Sequence, residues 1–294
     1  MLSIIVPIGN IQGDIKKLSQ WMHEIDTNLV EVILVHDQQD SRTGPALAML
    51  IDELPNLTLH LINGVWNSPG AARNEGLLKA TQEWIAFWDA DDLPESKNVL
   101  DVISKIDLQT NVVVGQYIVM SAHSNTQTSK ISRTSCVDDL ISNPGLWRMV
   151  FRRQIFANYR FPNISMAEDQ VYLVNSSLAS RTIHFSPALF YKYFQGQPNQ
   201  LTANPIKISD LNTSLRILSE TFEKLSGADL RFSRLLYLRQ FNTLLKNTRV
   251  SKWPAMGTKF REEYFGQRQS KSLEKLSQIL SFYRILVLAK YRAR

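Results

Sequence analysis

Trp84-Ile85-Ala86-Phe87-Trp88-Asp89-Ala90-Asp91-Asp92 is the stretch that decides the fold. An apolar run of this length suits a strand covered on both faces and is too short for a core helix. It passes without a break into a cluster of carboxylates. In an open α/β sheet, ligands bind beyond the carboxyl ends of the strands, so the acidic end of this run is a candidate site. Carboxylates that close repel one another, and a hard divalent cation relieves the repulsion. Mg²⁺ and Mn²⁺ take carboxylate oxygens and keep positions open for phosphate oxygens. A solvated strand-end turn is the other reading, because Asp is common in turns.

Outward from this stretch the chain alternates. Residues 2–7, 30–35 and 57–62 read as strands. Residues 45–54 and 71–80 read as helices, and Ile15, Leu18, Met22 and Ile25 recur at helical spacing between the first two strands. Strand runs alternating with helices predict an α/β fold, a mainly parallel sheet with helices on both faces. Residues 112–120 form one more strand. Residues 121–135, rich in Ser, Thr, Asn and Gln, read as an exposed loop or hairpin tip. Residues 144–205 mix strand, turn and short helix. From 206 the pattern is helical, over 208–225, 230–245 and 270–291, with Trp253-Pro254 as an interruption. The expected division is therefore 1–205, split into 1–110 and 111–205, followed by a helical region over 206–294.

Charge supports that division. Residues 1–205 hold 15 Lys and Arg against 20 Asp and Glu, whereas 206–294 hold 18 against 7, within a chain of net charge +6. An acidic front on a basic tail suggests two physical jobs. Of 294 residues, 44% are hydrophobic and 20% charged, which excludes a disordered or collagen-like chain. No apolar run reaches a membrane span, and the strand-like start at Leu2 carries no basic region or cleavage signal of a secretory leader. Cys136 is the single cysteine. That excludes an intrachain disulfide and a Cys-based zinc site, and it points to a reducing, cytoplasmic location.

Two further segments carry candidate chemistry. Asn67-Ser68-Pro69-Gly70-Ala71-Ala72-Arg73-Asn74-Glu75-Gly76-Leu77 opens a helix with small residues and a cation in its first turns. Such a terminus suits a phosphate or a neighbouring carboxylate; an ordinary helix start with a surface Arg is the alternative. Val32-Ile33-Leu34-Val35-His36-Asp37 is a strand ending in an acid. Asp37 could accept hydrogen bonds from a ribose or a base, or act as a cap. His36 reads as structural.

Together these pieces resemble the inverting glycosyltransferase family 2, of GT-A fold and bacterial surface-polysaccharide type. The matching pieces stand in the family's order: Ser3-Ile4-Ile5-Val6-Pro7, the strand ending at Asp37, Gly70 to Leu77, residues 84–92, and Ala167-Glu168-Asp169-Gln170, which looks like the family's catalytic Glu-Asp pair. The resemblance runs over 2–95 and 144–202 and stops near 206. It implies that Pro7 and Asp37 line the base and ribose pocket and that Arg73 braces it. It implies that Asp89 faces the ribose or the metal's water shell and that Asp91 ligates Mn²⁺ or Mg²⁺. Asp169 would be the general base, with Glu168 beside it as a packing or acceptor-binding partner. Two departures fall on the donor side. Ile8-Gly9-Asn10 stands where the family has an aromatic residue and Asn, and His36-Asp37-Gln38-Gln39 stands where it has Asp-Asp-Gly-Ser.

The implied reaction moves a sugar from a nucleotide-diphosphate donor, a UDP-sugar, to a hydroxyl of a glycan or lipid-linked acceptor. A nucleotide sugar already carries a good leaving group, so one carboxylate suffices as base, unlike the pair that glycosidases use. Trp147, near Arg148, Arg152 and Arg153, would stack on an acceptor sugar or pack in the core. In residues 273–291 an apolar face with flanking Lys and Arg has the makeup of a helix lying on anionic lipid; a helix docked on the body is the alternative. The chain is then expected to be cytoplasmic and peripheral on the membrane. The Lys and Arg are spread out, without a nucleic-acid motif, and no Gly-x-Gly-x-x-Gly follows the first strand, which argues against a nicotinamide dehydrogenase. A catalytically silent, sugar-nucleotide-binding scaffold is the second functional reading, motivated by Gly9 and His36.

Overall fold

The computed structural model describes residues 1–196, 210–249 and 252–265. The apolar runs form strands β1 (Leu2–Ile8), β2 (Val30–Asp37), β3 (Thr58–Gly64), β4 (Trp84–Phe87), β6 (Val112–Ser121), β7 (Met149–Arg152) and β8 (Ile183–Gln195), with a short β5 (Leu93–Pro94). They build one sheet in the order β3-β2-β1-β4-β7-β6-β8-β5. β1 pairs in parallel with β2 and β4, and β2 with β3. Beyond β4 the sheet is mixed: β7 is antiparallel to β4 and β6, β8 is parallel to β6, and β5 is antiparallel to β8. The expected parallel sheet is thus found in its first half, and short antiparallel returns break it in the second.

Helices α1 (Lys16–His23), α2 (Thr43–Asp52) and α4 (Ser96–Ile103) cover one face. They bury Leu18, Trp21, Leu47, Leu50 and Val99 against Ile4, Val6, Val32 and Leu34. Helices α3 (Pro69–Lys79) and α6 (Glu168–Asn175) cover the other face, together with α7 (Leu211–Thr221), α8 (Gly227–Lys246) and α9 (Trp253–Phe265). There Ala72, Leu77, Val171, Leu215, Leu236 and Phe260 share a core with Ile5, Ile33 and Val35. The alternation of Ile4 and Ile5 between the two cores is the period-2 geometry of a strand buried on both faces. A short helix α5 (Arg153–Phe156) follows β7. On α3, Gly76 is required by contact: a Cβ there would lie 2.3 Å from Ile5 Cγ2.

The C-terminal region is helical, as its pattern predicts, with one correction. Trp253-Pro254 does not break the helical region; it opens α9, and a first turn tolerates proline because the missing N–H has no partner there. The expected boundary at 205/206 and the helix at 270–291 lie outside the described residues. Among those residues, no helix is long and apolar enough to cross a membrane.

Residues 121–135 turn back along β6. Met120 bridges Gln127, and the Ser132 N–H reaches the Tyr117 carbonyl at 2.8 Å. Gln116 pins this return. Its amide donates to the Thr134 and Ser186 carbonyls and accepts from Ser132 Oγ and the Thr134 N–H.

Candidate active site

Three segments meet at the carboxyl edge of β4: the acidic turn 89–92, the first turns of α3 and the first turn of α6. Each helix is entered through a left-handed residue that is not glycine, Asn67 (φ 59°) before α3 and Ala167 (φ 60°) before α6. Such backbone is costly and persists where its surroundings over-determine it. Ser68 caps α3, its Oγ accepting the Ala71 N–H at 3.1 Å and donating to Asn163 Oδ1 at 2.9 Å. Asn74 then ties α3 to the segment ahead of α6. It donates to the Phe161 carbonyl at 2.9 Å and accepts the Phe161 N–H at 2.8 Å. A Cβ on Gly70 would stand 2.9 Å from Glu168 Cγ and 3.0 Å from the Pro162 carbonyl. The small residue is what lets α3 and α6 approach.

Arg73 occupies that junction. Its Nη1 donates to Glu168 Oε1 at 2.7 Å and its Nη2 to Asp89 Oδ1 at 3.1 Å. Burial opposes the guanidinium's charge, and Asp89, Glu168 and Asp169 outweigh it. One cation thereby joins the acidic turn to the Glu-Asp pair. Glu168 is buried, and burial with the neighbouring Asp169 pushes its carboxyl up to about 7 against the pull of Arg73. Asp169 is half-buried and free of any direct ion pair among the described residues. One of its oxygens accepts the Gln170 N–H at 2.8 Å. Burial raises it above the ordinary carboxylate range, although Arg73 lowers it.

The acidic turn divides its labour. Asp92 is 1% exposed. It accepts the Phe194 N–H at 2.6 Å and the Tyr191 hydroxyl, and burial with Asp91 and Asp89 raises its carboxyl strongly. It is a structural acid. The same Tyr191 hydroxyl accepts the Asp89 N–H at 3.0 Å, so β8 clamps the turn. Asp89 and Asp91 are the half-exposed members. Burial and the charge of Asp89 push Asp91 up to about 6. Two neighbouring carboxylates at an open edge fit a divalent cation that keeps its remaining positions for water and phosphate oxygens. Among the described residues, no group of three His, Cys, Asp or Glu forms an all-protein metal cage.

Pro7 is half-buried near the end of β1, in register with Val35. Asp37 is buried and already engaged. It accepts the Trp66 and Asn67 N–H groups at 3.2 and 2.9 Å and the Gln39 amide at 2.6 Å. It therefore shapes the loop that enters α3. His36 points to the opposite face, buried, with Nδ1 at 3.0 Å from Asn63 Oδ1. Trp147 packs in an aromatic stack between Tyr191 and Tyr193, with ring centroids at 4.6 and 5.4 Å; of its two readings the structure has the core one. The neighbouring arginines scatter. Arg148 is buried over Tyr117 and bonds Thr134, Arg152 pairs with Glu83, and Arg153 donates to the Gln82 carbonyl.

Asn74, Tyr191 and Asp92 belong to this constellation without having been singled out in the sequence for these parts. Asn74 lies inside the quoted helix start, next to Arg73, and its role appears only through its bonds to Phe161, 87 residues away. Tyr191 had no local signal, since its partners are about a hundred residues away.

Comparison with known proteins bears on this geometry. A family model described as Glycosyl transferase family 2 matches residues 3–174. The chain is 25% identical over 225 residues to a Bacillus subtilis (strain 168) protein named uncharacterized glycosyltransferase EpsJ, covering 70% of this chain and 64% of that one. It therefore spans less than two thirds of that relative's length. An uncharacterized glycosyltransferase of Haemophilus influenzae is 26% identical over 190 residues, with 59% of this chain and 70% of that one covered. Among solved structures, S. aureus TarS 1-349 in complex with UDP-GlcNAc superposes with a TM-score of 0.69 at 18% identity, over 90% of this chain and 81% of that one. The mannosyltransferase PcManGT from Pyrobaculum calidifontis, in complex with GDP-Man and Mn²⁺, gives 0.60 at 15% identity, over 99% and 82%. At these identities the structural likeness is one of fold.

Proposed function

The chain belongs to glycosyl transferase family 2 and has the GT-A fold, and from that premise we propose that it is a metal-dependent, inverting glycosyltransferase. It moves a hexosyl or N-acetylhexosaminyl group from a nucleotide-diphosphate donor, a UDP-sugar, to a hydroxyl of a glycan or lipid-linked acceptor. The observation that carries this reading is Arg73 bonded at once to Asp89 and Glu168, because it puts a donor-side acid and an acceptor-side acid on one cation. The donor complexes of TarS and PcManGT support the substrate class, and the Mn²⁺ of PcManGT supports the metal.

In the proposed reaction Asp169 accepts the proton of the acceptor hydroxyl as its oxygen attacks the anomeric carbon. The carbon–diphosphate bond breaks on the opposite face, which inverts the centre. Burial makes Asp169 a stronger base than a free carboxylate. Glu168, held by Arg73, orients the helix start that carries it. A divalent cation held by Asp91 and Asp89 would supply charge to the departing diphosphate. Pro7 and the loop shaped by Asp37 flank the nucleotide.

Asp169→Asn is expected to keep donor affinity and lose roughly 10²–10⁴-fold in transfer, the usual cost of a general base. A wild-type rate for Asp169→Asn beside a dead Glu168→Gln would transfer the role to Glu168. Retained donor binding without turnover in the wild-type chain, with no donor hydrolysis in Mn²⁺, would favour the silent scaffold.

The basic tail is proposed to hold the protein peripherally on the inner face of the cell membrane. Each Lys or Arg near an anionic surface adds about 1 kcal/mol, a contribution that salt weakens. Chains truncated after Gln269 should leave anionic vesicles that the full chain co-sediments with at low salt. A full-length chain that stays in the supernatant ends this reading.

A further inference from the structure

Gln170 follows the proposed base on α6, and Gln240 follows Arg239 on α8. The two amides are hydrogen-bonded, Gln240 Nε2 donating to Gln170 Oε1 at 3.1 Å. Both are buried, and Ser214 of α7, itself wholly buried, donates to the other end of Gln240. A polar chain inside an apolar contact fixes the register between helices, because a slip leaves its amides unpaired in the core. Here the bonded amides are the chain neighbours of Asp169 and Arg239, so the register keeps those two residues at the same helix contact.

Arg239 is half-buried, and among the described residues its side chain makes one hydrogen bond, from Nη2 to the Ser142 carbonyl at 3.2 Å. Its charge is felt by Asp169 and by Tyr117, and among the described residues no ion pair joins it to Asp169. The other charged groups facing Asp169 are Arg73 from α3, Glu168 on its own helix and Asp89 from the end of β4. Arg73 is committed to Glu168 and Asp89. Arg239 is thus a second cation at the base, and it arrives from beyond the stretch that the family model covers.

We propose that Arg239 is a positioning residue for the base, and that α8 completes the active site rather than only extending the chain toward a membrane. The guanidinium favours the ionised form of Asp169, which takes the proton of the acceptor hydroxyl. This assignment rests on Asp169 being the base.

The test is a pH-resolved stability cycle on the full chain, which needs no known acceptor. Asp169 has a raised folded-state value, so its contribution to stability is lost as pH rises through that value. Removing the cation raises it further. Arg239→Met should therefore lose more melting temperature at pH 8 than at pH 5, Arg239→Lys should restore the wild-type slope, and in an Asp169→Asn background the penalty should be flat. A penalty independent of pH, or equal in both backgrounds, overturns the proposal and leaves Arg239 as a tether to Ser142. With UDP-GlcNAc and GDP-mannose as hydrolysis probes in Mn²⁺, the acidic limb of the rate should move up by about one pH unit in Arg239→Met and stay in place in Arg239→Lys. If Asp169→Asn hydrolyses the probe at the wild-type rate, the base is misassigned, a failure distinct from that of the stability cycle.

Discussion

In the half of the sheet ordered β3-β2-β1-β4, every strand meets its neighbour in parallel and a helix carries the chain back between strands. In the half ordered β7-β6-β8-β5, pairings alternate in sense, β6 carries a register shift on either side of Gln116, and single side chains hold the path: Gln116 on the return loop, Arg148 over Tyr117, Tyr191 under the acidic turn. The first half is specified by short-range pattern, the second by contacts between distant residues. The proposed chemistry lies on the seam, with donor-side acids from the first half and the base from the second.

The largest effect is expected where one residue spans that seam. Arg73→Met leaves Glu168 buried without its cation, and breaking a buried pair in this way costs roughly 3–5 kcal/mol. Urea titrations should show that loss, and it should shrink when Glu168→Gln is added, because the stranded charge is then gone. A full loss in the double variant would mean that Arg73 acts through packing alone.

A smaller effect contrasts the halves directly. Gly76→Ala drives a Cβ to 2.3 Å from Ile5 in the parallel half, and Gly115→Ala drives one to 2.0 Å from Phe190 in the mixed half. Overpacking costs about 1–3 kcal/mol in either place. The regular half should accept compensation, so Ile5→Ala added to Gly76→Ala is expected to recover part of the melting temperature. Phe190→Leu added to Gly115→Ala should recover less, because Phe190 adjoins the Tyr191 that clamps Asp89 and Asp92. Equal rescue on both sides would erase the distinction.

The smallest effect is a pH dependence at the edge of β4. Asp91 is pushed up to about 6 by burial and Asp89, so its contribution to stability is full below the unfolded carboxylate value and is lost as pH rises through 6. Asp91→Asn should match the wild type at pH 4 and melt higher at pH 8, at about 2–4 °C per kcal/mol for a domain of this size. Mn²⁺ should raise the wild-type midpoint at pH 8 more than at pH 5 and leave the variant unmoved. A variant stabilised by Mn²⁺ as strongly as the wild type would remove Asp91 from the metal.

The same contrast explains what could be read from the amino acids. β1 to β4 and α3 were legible because a buried strand needs a continuous apolar run and a capped helix needs its Ser-Pro start. Glu168 and Asp169 were legible through family resemblance, and Arg73 through its place in a helix start. Trp147 stayed undecided because its burial depends on Tyr191 and Tyr193, which approach it only when β8 pairs with β6. Arg239 gave no signal at all: one Arg among many in a basic helix looks like a solvated face until Gln240 meets Gln170. Trp253-Pro254 misled because proline both ends helices and begins them.

The Arg73–Glu168 bond joins residues 95 apart in the chain. At a synthesis rate of about 5–20 residues per second, roughly 5–20 s separate the appearance of the cation from that of its acid. For that interval a nascent chain carries the strands of the first half with α3 unable to seat against α6. Arg73 then has only Asp89 to answer it, and the apolar face made for α6 is bare. A truncated product ending before residue 168 would carry the same bare face permanently.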